Sequence, residues 1–167
     1  MKKTLVIIIL AVYIASIAVV NFFGLQVRIF DGITYVSEIQ CNTVTLLGEN
    51  GRQIQPAQTL ADPMFGKVDV FIFDFIPSPD GEPYTMDNLE SNPNIIQLNY
   101  EVWPHLADVQ EVEFIYDKES GVVVYHELSK SFIVLKSGEA FDIILKSADG
   151  SNITEKVKIF SRAPKVN

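Results

Sequence analysis

Beyond about Ile33 the chain repeats one rhythm, apolar and polar residues in strict alternation, and that rhythm confines it to sheets packed on a shared core. In "IIQLNYEV", Ile96, Leu98, Tyr100 and Val102 fall on one phase and Gln97, Asn99 and Glu101 on the other. Successive side chains of a strand point to opposite faces, so one face meets a core and the other meets water. "EVEFIYD" repeats the pattern with Val112, Phe114 and Tyr116 inward, "AFDIILKS" with Phe141, Ile143 and Leu145, and "TEKVKIF" with Val157 and Ile159. One wet face is the mark of antiparallel sheets on a single core.

Other segments complete the set. "GVVVYHEL" and "SFIVLK" read as two further strands, and "ITYVSEIQCNTVTLL" as one long strand or two short ones, its phase shifting near Asn42. "VDVFIFDF" is apolar on both phases, Val68, Val70 and Ile72 against Phe71, Phe73 and Phe75, which predicts a strand covered on both faces. Turn-forming runs separate these segments: "GENGR", "PSPDGEP", "SNPN", "DKESG", "LKSG" and "SADGSN". No sustained helical period occurs here. Eight or nine short strands at this spacing predict an all-β sandwich. The stretch Gly48–Gly66 holds few apolar residues and reads as a long surface excursion.

The amino terminus is of another kind. Leu5 to Leu25 is a run of 21 residues in which only Ser16, Asn21 and Gly24 are not plainly hydrophobic. As a helix it is about 30 Å long, the thickness of a bilayer's hydrocarbon core. Lys2 and Lys3 precede it, so the positive-inside bias keeps the amino end cytoplasmic and sends the rest outward. The alternative is a secretory signal cut after Ser16-Ile17-Ala18, giving a secreted protein, but the apolar run continues past that point to Phe22 and Phe23. A buried core helix is the third reading. A lipoprotein signal does not fit, because the only cysteine, Cys41, lies well beyond the apolar core. The expected organisation is a transmembrane anchor over residues 1–25, one ectodomain over 26–162 and a tail over 163–167.

Thirteen basic residues, two of them Lys2 and Lys3, stand against 21 acidic ones. That balance excludes nucleic-acid binding, which needs basic patches to displace counterions, and opposes lying flat on an anionic membrane. A single cysteine rules out an intrachain disulfide, so an exported domain must rest on its core. Asn152-Ile153-Thr154 is a formal glycosylation sequon, a match that arises easily by chance.

Few residues invite a chemical reading. "WPHLAD" brings Trp103, His105 and Asp108 within six positions. Pro104 cannot continue a strand ladder, so the run reads as the crossing between two strands, with Leu106 or Ala107 tucked into the sandwich edge. His105 has no second histidine or cysteine at ligand spacing, and Trp103 falls on the polar phase, where an exposed indole would suit a sugar or protein contact. Asp80, Glu82, Asp87 and Glu90 form an acidic run that calcium could use, but the spacing departs from the EF-hand pattern and the plainer reading is a solvated loop. "HELSK" at His126 lacks the second histidine of a zincin helix, and Cys41 sits mid-strand as a small core residue. No nucleophile elbow and no phosphate-cradling glycine loop occurs. The expectation is therefore no catalytic, cofactor-binding or metal residue, and no enzyme.

The second half resembles a known family. Tyr100, Val102 and Pro104, then Ala107, Val112 and Phe114, then Ser120, Val122 and Val124, then Gly138, Ala140 and Ile143, and finally Val157 and Ile159 follow the pattern of the bacterial immunoglobulin-like domain of the group 2 type. The resemblance covers about residues 99–159. Phe114 stands where tryptophan is commoner, and the spacing slips by one after Gly138. What it implies is an extracellular immunoglobulin-like β-sandwich serving as a stalk or adhesive module, with no catalytic residues. A membrane-anchored surface protein is the resulting expectation, touching lipid through residues 5–25 and cell-wall or host protein or carbohydrate through the ectodomain. The alternative is an accessory or sensor subunit whose helix pairs with another membrane protein.

Overall fold

The protein is described by a computed structural model over residues 32–85, 89 and 91–163. Tyr35–Asn167 groups as one compact unit and Met1–Thr34 as another. The expected anchor, residues 5–25, lies outside the described residues, as do the chain up to Asp31 and most of the tail. Among the described residues no helix is long and apolar enough to cross a membrane.

Among the described residues ten strands form two five-stranded sheets: β1 (Glu38–Leu46), β2 (Arg52–Ile54), β3 (Gln58–Asp62), β4 (Gly66–Asp74), β5 (Ile95–Trp103), β6 (Val112–Tyr116), β7 (Val123–His126), β8 (Ser131–Val134), β9 (Ala140–Ser147) and β10 (Thr154–Arg162). The first sheet runs β2-β1-β5-β8-β7 and the second β3-β4-β10-β9-β6. Every neighbouring pair is antiparallel except β4 and β10, which run parallel with Phe71 beside Ile159. One apolar core takes side chains from both sheets, so the fold is an all-β sandwich. Its centre includes Val44 and Ile96 from the first sheet and Phe71, Ile143, Leu145 and Ile159 from the second, all fully buried. Phe132 from β8 meets Phe114, Tyr116 and Tyr125 at centroid distances of 4.8–5.6 Å, two of the contacts edge-on. Such aromatic pairs add to the burial itself.

The strand phases hold. Ile96, Leu98 and Val102 are buried with Tyr100 packed beside them, and β9 and β10 bury the residues that alternation selects. The expected phase change near Asn42 is a shift of register between Cys41 and Thr43 within a single long β1. β4 is covered on both faces: Phe71, Phe73 and Phe75 enter the core, while Val68 and Val70 are buried on the other side. On that outer side the parallel register sets Lys158 beside Val70. Lys156 and Lys158 pair there with Asp62 and Asp142 at 3.0–3.3 Å, which lays their aliphatic stems along the sheet.

Gly48–Gly66 departs from the expected loop. It contains β2 and β3, which extend the first sheet and the second sheet respectively, and Ile54 alone of their residues is buried. An edge strand gets its hydrogen bonds from one neighbour and needs little core contact, so its sequence shows no alternation.

"SNPN" is more than a turn. Asn92 and Asn94 are buried, and their amides bind three segments together. Asn92 Nδ2 donates to Val134 O (2.8 Å), Asn94 Nδ2 donates to Ile76 O (2.9 Å) and to Asn92 Oδ1 (2.9 Å), and Ile76 N donates to Asn94 Oδ1 (2.8 Å). Pro93 lies so close to the turn after β1 that a Cβ on Gly48 would stand 1.8 Å from its carbonyl oxygen, so only glycine fits there.

Candidate functional site

β2 pairs with β1 only from Val44 to Leu46, which leaves the first half of β1 with an unpartnered edge. β3 forms the facing edge of the second sheet. Between these two edges lies an open groove of about 890 Å³, walled by Glu38, Ile39 and Gln40 on one side and by Thr59, Leu60, Ala61, Phe65, Lys67, Asp69 and Glu155 on the other. Here the inward phase of the second sheet turns polar. Asp69 shares its phase with Phe71, and Glu155 shares its phase with Val157, yet both are charged residues.

Burial, together with the neighbouring Asp69 and Glu38, pushes the Glu155 carboxyl up to about 7. The Cys41 thiol is pushed up to about 12 by burial, with Glu155 and Asp69 adding to it, so it stays protonated and inert. Thr59 Oγ1 donates to Asp69 Oδ1 at 2.6 Å. The groove thus brings the acidic side chains of Glu38, Asp69 and Glu155 together with Lys67, beside the apolar side chains of Ile39, Leu60 and Phe65. Sequence reasoning missed it because its carboxylates come from β1, β4 and β10; the signal was a charge on the core phase of two strands.

The corner "WPHLAD" is the crossing from β5 to β6. The Trp103–Pro104 peptide is cis. Of the two candidates for the tucked residue, Ala107 is 7 % exposed and Leu106 85 % exposed. Trp103 is exposed, as its phase predicts, and the His105 ring packs against it at 3.8 Å between centroids, tilted by 39°. Gln110 Nε2 donates to the His105 carbonyl and ties the crossing together. The start of the unit is fastened nearby: Ser37 N donates to Trp103 O (2.8 Å), and Val36 N donates to Asp149 Oδ2 (2.5 Å). Partial burial alone would raise the Asp149 carboxyl, but donors from Val36, Ser151 and Ser147 outweigh it and hold the group at about 2.

The remaining candidates are scattered. His126 ends β7 and shares a 2.7 Å hydrogen bond with Ser129, inside a hairpin rather than on a helix. Asp80 and Glu82 are exposed on the connection from β4 to β5, while Asp87 and Glu90 fall outside the described residues. Among the described residues no three His, Cys, Asp or Glu side chains are placed to hold a metal ion. Asn152 lies exposed in the β9–β10 turn with a positive φ of 59°. No protein-family profile, no curated protein and no solved structure matches this chain.

Proposed function

We propose that the chain is a membrane-anchored bacterial surface protein, held by a single helix over residues 5–25 and carrying an immunoglobulin-like ectodomain with a structural or adhesive role. The strand order carries this reading. Immunoglobulin domains place strands A, B, E and D in one sheet and C, F and G in the other. With β1 as A and β5 to β10 as B to G, that rule gives β1-β5-β8-β7 and β10-β9-β6, the orders present here. β2, β3 and β4 are then additions between the first two strands. The sequence resemblance over about residues 99–159 spans the same B-to-G portion. Phe114 on β6 takes the place of the tryptophan expected on strand C, packing between Tyr100, Tyr125 and Phe132.

The ectodomain acts by contact with cell-wall or host protein or carbohydrate, and the reading assigns it no catalytic residue. Replacing residues 5–25 by an unrelated spanning segment tests it. A stalk or adhesin keeps its binding to cell-wall or host material through the exchange. Loss of that binding together with co-purifying membrane proteins would instead make the chain an accessory subunit whose helix recognises its partner.

A further inference from the structure

The edge of a sheet carries unpaired N–H and C=O groups, and natural sandwiches guard such edges against a second chain. Among the described residues the two sheets end on four edge strands, β2, β7, β6 and β3. Three of them are guarded. β2 has only three residues, the first of them Arg52, which is held by Glu49 at 2.7 Å. β7 has four, and the Tyr125 N–H already donates to the Tyr116 hydroxyl of the other sheet at 3.2 Å. β6 has five, but pairing with its own copy about Phe114 would set Glu113 against Ile115 and Glu111 against Asp117. β3 has no such device. Gln58-Thr59-Leu60-Ala61-Asp62 contains no proline and no lysine, and its register with β4 runs unbroken from Gln58–Val70 to Asp62–Gly66. Its one charge, Asp62, is met by Lys156 at 3.3 Å. The first four residues are exposed, Leu60 by 42 %.

We infer that β3 is a self-association edge: two copies of the chain pair through it, antiparallel about a two-fold axis at Leu60, and join their second sheets into one. The strand is complementary to itself. Pairing over the full length of Gln58–Asp62 puts Leu60 against Leu60 of the second copy, Gln58 against Asp62 and Thr59 against Ala61. Leu60 lies on the outer face, where Val68 is its neighbour on β4, so the two leucines meet there and shield each other from water. The Gln58 amide brings N–H donors to the Asp62 carboxylate. Thr59 and Ala61 are small, and Thr59 Oγ1 keeps its bond to Asp69 at 2.6 Å. Pro56 and Pro63 bracket the strand, and neither can add an N–H to the ladder, so pairing is confined to these five residues and a slide of register is opposed. A two-fold axis closes the pair and leaves no growing fibre. A foreign strand would have to match leucine with leucine and carboxylate with amide, which a second copy does by symmetry. The association uses the described sandwich alone and is independent of the anchored reading.

Cys41 is the only cysteine and is buried, so an introduced thiol reports the edge against a quiet background. The experiment is sedimentation of the full chain in detergent from micromolar to millimolar concentration, joined to cross-linking with copper(II) phenanthroline as the oxidant. Cβ atoms directly opposite each other in an antiparallel pair are about 4.5–5.5 Å apart, near the separation a disulfide needs. Leu60→Cys should therefore cross-link to itself. Gln58→Cys should give at most a tenth as much, because its copy lies four positions along, about 13 Å away at about 3.3 Å per residue. Leu60→Lys sets two ammonium groups against each other and should weaken dimerisation at least tenfold. If that variant also lowers the melting temperature, the ratio of the two cross-links decides alone. A chain that stays monomeric throughout the range would overturn the inference. So would a dimer that Leu60→Lys leaves intact, or one in which Gln58→Cys cross-links as well as Leu60→Cys, since either puts the contact on another surface.

Discussion

Glu155 and Asn94 show how single residues set the character of this molecule, one by an unfavourable charge and one by a set of hydrogen bonds. The folded protein raises the Glu155 carboxyl from 4.5 to about 7, so folding favours its protonated form. Its contribution is favourable at low pH and is lost as the pH rises through that window. Glu155→Gln should therefore raise the melting temperature of the full chain in detergent at pH 8 by about 3 °C, or about 1 kcal/mol after discounting for solvent screening. The advantage should vanish at pH 5, and an equal gain at both pH values would rule out the electrostatic cause. Asn94 satisfies both the N–H and the C=O of Ile76. Asn94→Ala leaves them without that partner, and denaturant titration should show a loss of about 2 kcal/mol. Neither role was legible in "SNPN" or "TEKVKIF". The sequence marks a turn and an odd charge, but which carbonyl or carboxylate each residue meets depends on strands far away in the chain.

At the scale of elements, legibility followed burial. Strands with one face in the core wrote that face into their alternation, so β5, β6, β9 and β10 were readable almost residue by residue. The register shift in β1 was readable too, because inserting a residue reverses the buried phase. β2 and β3 were not, since their order comes from backbone pairing with β1 and β4 and leaves almost no apolar signature. β8 is the opposite extreme, with all four residues buried. Phe132 at its centre joins β6 and β7 through three ring contacts, and Phe132→Ala should cost about 3–5 kcal/mol by denaturant unfolding. A loss below about 1 kcal/mol would mean that the β7–β8 hairpin does not depend on the shared core.

For the whole molecule, the central proposal is that the apolar segment over residues 5–25 spans the bilayer and that the sandwich is displayed outside it. The most direct test is protease treatment of intact cells expressing the full chain with a carboxy-terminal tag, probing membrane and medium together. The account predicts a tag that stays with the membrane and is removed by protease added outside. A tag found in the medium would make Ser16-Ile17-Ala18 a cleavage site and the protein a secreted module. A membrane-bound tag that protease cannot reach in intact cells, but removes after lysis, would contradict the topology.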